Sequence, residues 1–192
     1  MKTNTKKIVG IGVMTAIVVV LQLLGSFIKF GVFSISLVLV PIIVGAALYG
    51  IGAGAWLGLA FGITVIASGD AGLFLAANPA GTFVTVLLKG VLAGLAAGAV
   101  YKAIEKKNKL AAVITSGICA PVVNTGVFIL GCWLFFMPLI SEWAAAAGAE
   151  NAGLYVITGV VGVNFFVELA INLVLSTVIV RIINIANKEN KK

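Results

Sequence analysis

Two ionisable residues stand where a chain of this kind should have none. Lys89 lies inside NPAGTFVTVLLKGVLAGLAAG and Glu168 inside a long apolar run near the C-terminus. A charge held at the centre of a membrane span costs roughly 2.5–3.5 kcal/mol on insertion scales, so each needs a partner or a task. Asn164, Glu168 and Asn172 recur every four positions. On a helix that spacing makes one polar stripe, which in lipid must face the interior of a bundle. Asn124 follows Pro121 by three residues. The proline removes one backbone hydrogen bond, and the amide beside it can repair that defect or bind a ligand. The chemistry on offer is recognition: an ammonium, a carboxylate and amides that either pair with one another or orient a bound molecule. Gln22 reads as structural glue between helices.

Catalysis has few parts available. The chain has no histidine, which removes the commonest general base, proton shuttle and metal ligand. An intramembrane acid–base pair would have to be Asp70 and Glu168, expected at different depths. Cys119 and Cys132 are thirteen positions apart in one apolar segment, about 20 Å along a helix and too far to bridge; they read as small packing residues. The run Gly50-Ile51-Gly52-Ala53-Gly54 has no preceding strand and no acidic residue at the required distance, and no G-x-x-x-x-G-K-[ST] loop occurs. Catalytic residues, metal and cofactor are therefore expected to be absent, and any ATP hydrolysis belongs to another chain.

The elements that must position these residues follow from composition. Of 192 residues 61% are hydrophobic and 10% charged, and the mean hydropathy is +1.21. One water-soluble core of this size cannot hide so much apolar surface, whereas a chain facing lipid need not. Apolar stretches bounded by Gly, Pro, Asn or charge predict spans over 8–28, 37–49, 53–67, 82–104, 110–136 and 155–185. The first is read as a retained helix, since no small-x-small cleavage site follows it. Lys89 then lies about 10 Å below the outer end of its span and Glu168 about 20 Å down its own.

Six spans place both termini and the loop from Lys102 to Lys109 on one side. Lys2, Lys6, Lys7, Lys102, Lys106, Lys107, Lys109, Arg181, Lys188, Lys191 and Lys192 share it, leaving Lys29 and Lys89, so the positive-inside rule makes that side cytoplasmic. The expectation is an all-α membrane protein, one compact six-helix bundle forming a single domain over 1–192, N-in and C-in. The segments from Lys29 to Ser36, Ser68 to Gly81 and Pro138 to Gly153 become external loops, long enough to take part in recognition. The net charge of +7 is spread over two tails and one loop, not a basic patch with interleaved aromatics, so nucleic acid is not an expected partner.

Gly54, Gly58 and Gly62, and then Gly90, Gly94 and Gly98, give two flat helix faces suited to close packing in lipid. Gly12 and Ala16 form a similar small-xxx-small pair; spacing alone leaves open whether it meets this chain or another. Trp133, Trp143, Phe74, Phe83, Phe128 and Tyr155 fall near the outer boundary, as a belt or as the wall of a pocket for a flat molecule.

Taken together, the stretches ISLVLVPIIVGAALYGIGAGAWLGLAFG at 35–62, NPAGTFVTVLLKGVLAGLAAG at 78–98 and APVVNTGVFILGCWLFF at 120–136 resemble the substrate-binding S component of an energy-coupling-factor (ECF) vitamin transporter, over about residues 7–181. The resemblance implies capture of a vitamin or related micronutrient from outside by external loops and the outer halves of the later helices. It also implies docking on a transmembrane coupling protein driven by two ATPase subunits, and no enzymatic activity in this chain. The family's Ala-xxx-Ala docking motif matches Gly12 to Ala16, with glycine for the first alanine. Asn78, Lys89, Asn124, Trp133, Asn164 and Glu168 are the candidate substrate contacts. An autonomous ion-coupled carrier or channel using Glu168 is the competing reading.

Overall fold

The computed structural model describes the backbone of residues 2–27, 29–30, 33–34 and 37–189, and side chains within 5–27 and 37–186. The expected loop over 29–36, the end of the first span at Ile28, and Lys191 and Lys192 lie wholly or partly outside the described residues. The chain is helical apart from a hairpin of two-residue strands, β1 (Lys29–Phe30) and β2 (Phe33–Ser34), paired antiparallel. The helices are α1 (Lys2–Gly25), α2 (Leu39–Tyr49), α3 (Ile51–Ala67), α4 (Gly72–Ala77), α5 (Pro79–Ile104), α6 (Lys109–Phe135), α7 (Met137–Ala146), α8 (Ala152–Tyr155), α9 (Gly162–Val174) and α10 (Ser176–Glu189). Between α8 and α9, Val156–Val161 forms a π-helical turn.

Among the described residues, four helical stretches are long and apolar enough to cross a membrane: Thr5–Gly25, Pro79–Ile104, Lys109–Phe135 and Ala152–Val174. The second and third expected spans coincide with α2 and α3, of 11 and 17 residues, or roughly 16 and 26 Å of helix against a hydrocarbon core of about 30 Å. Most of α2 is buried, from Leu39 through Ala46, so protein rather than lipid surrounds it. The segment expected as one helix over 155–185 is instead broken at Leu175, where the first helix is capped and α10 begins. The loops expected over 68–81 and 138–153 contain α4 and most of α7. Local chemistry sets several starts: Asn78, Asn108 and Asn151 each accept a backbone N–H from the first turn of the helix that follows, satisfying a donor the helix cannot, and Pro79 supplies a favoured first residue.

The two glycine rows meet each other. A Cβ on Gly54 would lie 2.5 Å from the carbonyl oxygen of Gly94, and one on Gly62 would lie 2.9 Å from that of Val86. Gly58 and Gly90 face each other's backbone in the same way. Thus α3 and α5 pack backbone to backbone, the contact small residues permit where lipid supplies no hydrophobic drive. Ser116 adds a hydroxyl bond to the carbonyl of Ala97 at 3.0 Å, tying α6 to α5.

Buried side chains form two clusters. The larger runs through α2, α3, α5, α6 and α10, with Leu39, Ile42, Leu57, Tyr101, Ile179 and Ile183 among its members. The smaller joins Phe74, Phe128, Cys132, Phe136, Ile140 and the π-turn valines Val156, Val160 and Val161. The candidate site lies where these clusters meet.

Candidate functional site

A cavity of about 90 Å³ lies between the clusters. Its apolar wall takes Phe61, Val65 and Val86 from the larger cluster and Phe74, Phe128, Val160 and Val161 from the smaller, together with Phe165. Its polar groups are Gln22, Asp70, Lys89, Asn124, Thr125, Asn164 and Glu168. An apolar chamber with a few convergent polar groups is the usual form of a small-molecule site. The lining comes from the C-terminal halves of α1, α3 and α6, the turn after α3 with Phe74 of α4, the N-terminal half of α5 and the middle of the segment from α8 to α9. The cavity is therefore at one end of the bundle, away from the N-terminus and the loop after α5.

Four of the six expected substrate contacts, Lys89, Asn124, Asn164 and Glu168, converge on this cavity. The Lys89 ammonium rests over two rings, 5.5 Å from the centroid of Phe61 and 5.2 Å from that of Phe128, an arrangement that stabilises a cation without an anion. It forms no ion pair within 4.0 Å with Glu168 or Asp70. The Glu168 side chain is 7% exposed, and no hydrogen bond to its carboxylate is formed among the described residues; only its backbone carbonyl accepts, from Asn172 at 2.8 Å. Four buried side-chain oxygens have no hydrogen-bond partner among the described residues: Oδ1 of Asn124 and Asn164 at the cavity, and Thr85 Oγ1 and Asn172 Oδ1 away from it. Unpaired buried polar atoms are rare in folded proteins.

Asn124 therefore does not mend the backbone at Pro121. Helix α6 continues through that proline from Lys109 to Phe135, and the amide turns to the cavity instead. Asn172, the lowest member of the polar stripe, is buried against its own helix through the bond to Glu168 and does not line the cavity. Asn78 and Trp133 also lie outside the lining. Asn78 fixes the start of α5 by accepting from Gly81 N at 2.9 Å, and Trp133 is 44% exposed on α6.

Of the aromatics expected as a belt or a pocket wall, Phe74 and Phe128 line the cavity, whereas Gln22, Asp70, Val160 and Val161 are lining residues that the sequence did not single out as such. Gln22, expected as glue, does bridge elements, its Nε2 donating to Asp70 Oδ2 at 2.7 Å, and both residues also face the cavity. Phe74 sits at the hub of an edge-to-face cluster, with centroid distances of 5.5 Å to Phe128, 5.0 Å to Phe136 and 5.7 Å to Trp143. Through Phe74 and Phe128 this cluster reaches the cavity wall, and Trp143 of α7 packs on Phe74 of α4; both helices pass for loops in the sequence. The π-turn brings Val160 and Val161 to the wall just before Asn164 and Glu168; single π-turns inside helices are frequent at functional sites, and no local sequence signal announces this one.

The small pair on α1 lies elsewhere. Gly12 and Ala16 are exposed, and a Cβ on Gly12 would meet nothing within 4 Å. Ile8, Val9, Val13, Ile17 and Val20 are exposed beside them, whereas Val18 and Gln22 turn inward. Trp56 Nε1 donates to Thr15 Oγ1 at 3.1 Å, tying this helix to α3.

No curated protein and no solved structure matches the chain. The sequence does match the family described as ECF transporter, substrate-specific component, over residues 6–180. That match spans every lining residue of the cavity and shows that this chain belongs to the family of substrate-specific components of ECF transporters, multi-pass membrane subunits that bind the transported molecule and are not themselves catalytic.

Proposed function

We propose that this chain captures a vitamin or related micronutrient at the outer face of the cytoplasmic membrane and delivers it inward as part of an ATP-driven ECF complex. The observation that carries this reading is the cavity with unpartnered Asn124 and Asn164 oxygens beside the unpaired Lys89 and Glu168 charges. These four residues contact the ligand, with Asn78 and Trp133 acting at the border by setting the start of α5 and the outer surface of α6. Six segments cross or enter the membrane, α1, α2, α3, α5, α6 and the stretch from α8 to α9, with α2 and α3 spanning as a buried pair. The lysine-rich end is cytoplasmic by the positive-inside rule, which puts the cavity in the outer half.

Gly12 and Ala16 are the docking surface for a transmembrane coupling protein that carries two ATPase subunits. Their open, flat face supports this, because small residues let a partner helix approach closely in lipid. The test is uptake in cells that supply the coupling module. Gly12→Trp and Ala16→Trp should each abolish uptake while the purified variants keep wild-type ligand affinity. Loss of both properties together would refute a dedicated docking face, and flux through liposomes holding this chain alone would refute dependence on ATPase partners.

A further inference from the structure

We infer that the transported molecule is dipolar, carrying an anionic group that meets Lys89 and a cationic group that meets Glu168, with an apolar body against the aromatic wall of the cavity. The inference rests on the reading of this cavity as the substrate site and adds the chemical class of the substrate.

Three charged side chains face the chamber, and their present partners differ. Asp70, near the mouth, already accepts a hydrogen bond from Gln22 at 2.7 Å. Lys89 is held by two aromatic faces and by no acceptor among the described residues. Glu168, 7% exposed, has no donor to its carboxylate among the described residues. The two could have neutralised each other as an ion pair, yet they stand apart within one cavity. A bound ligand expels water from such a chamber, and each charge left without a partner then bears its desolvation penalty. A neutral ligand would leave both charges in that state. A purely anionic ligand would satisfy Lys89 and strand Glu168, and a purely cationic one would do the reverse. Only a ligand with both signs compensates both residues, and the free acceptors on Asn124 and Asn164 add donors to its requirements, which a protonated amine or a ring N–H supplies.

The experiment uses the full chain, purified in detergent after growth in rich medium and unfolded to release small molecules. These are identified by mass spectrometry, with amine-reactive and carboxylate-reactive tags reporting their groups, and a phosphate is recognised by its fragment. The expected result is a near-stoichiometric compound bearing both an acidic and a basic group. Lys89→Gln and Glu168→Gln should each retain roughly tenfold less of it or lower still, the loss that follows from removing one charge-assisted contact. Both variants should keep the wild-type elution volume and helical circular dichroism. A stoichiometric compound that is neutral or carries one sign of charge overturns the dipolar assignment and leaves the S-component reading standing. A protein that emerges empty, and is stabilised against heat by phenylacetate or phenethylamine as well as by L-phenylalanine or 4-(aminomethyl)benzoate, also overturns it. An empty protein that none of these probes stabilises, and that moves solute in liposomes without ATPase partners, overturns both.

Discussion

Asn124 separates two reasons for keeping a polar residue inside a bundle. Its Oδ1 is buried without a partner, so the amide costs stability in the empty protein, on the order of 1–3 kcal/mol for an unmet buried polar group. Asn124→Leu, nearly equal in size, should therefore leave the melting temperature of the ligand-free protein unchanged or raise it, while weakening ligand binding by roughly tenfold. Thermal unfolding and a binding titration on the same preparation check both halves. A fall in stability with unchanged affinity would make Asn124 a packing residue. The spacing of Asn164, Glu168 and Asn172 marks one inward stripe, but only side-chain placement divides it. The first two face the cavity, and the third is occupied by the Glu168 carbonyl.

At the scale of helices, the same glycine spacing has opposite meanings in different places. The rows on α3 and α5 are consumed by contact with each other, whereas Gly12 on α1 faces open space. One chemical change therefore gives two outcomes. Gly58→Ala drives a methyl into the backbone of Gly90 and should cost about 1–3 kcal/mol through forced separation of the helices. Gly12→Ala should stay within about 0.5 kcal/mol of wild type, as substitutions at unconstrained exposed positions do. Thermal stability of the two variants in one detergent measures the difference; equal losses would mean that Gly12 packs within the fold. The helix carrying Glu168 shows how an element adapts to a site: the turn at Val156–Val161 is π-helical, which shifts the phase of the residues after it.

The whole molecule has two ends of different character. One holds the cavity and, around Phe74, the aromatic cluster of Phe128, Phe136 and Trp143. The other carries the loop after α5, where Lys102 pairs with Glu105 at 3.3 Å and Lys109 donates to Asn184 at 3.0 Å. If the basic end is cytoplasmic, as the excess of lysine there requires, a cysteine at Lys107 is shielded in intact cells. In a background with Cys119 and Cys132 replaced by alanine, Lys107→Cys should react with an impermeant thiol reagent only after the membrane is opened. Labelling of intact cells would invert the proposed orientation and put the cavity on the inside.

Composition and hydrophobic patterning by themselves determined that this chain is built for lipid, where α2, α3, α5 and α6 begin and end to within about three residues, and which few polar residues stand in apolar surroundings. Those properties are local: transfer of apolar segments out of water, capping by asparagine and the cost of buried charge are all written along the chain. Tertiary structure decided which of those polar residues share a cavity, that the glycine rows of α3 and α5 are partners, that the last segment breaks at Leu175, and that two supposed loops hold the helices α4 and α7, of which α4 lines the site. These depend on contacts between residues far apart in sequence, as between Gln22 and Asp70 or Gly58 and Gly90, and no window of neighbouring residues contains them.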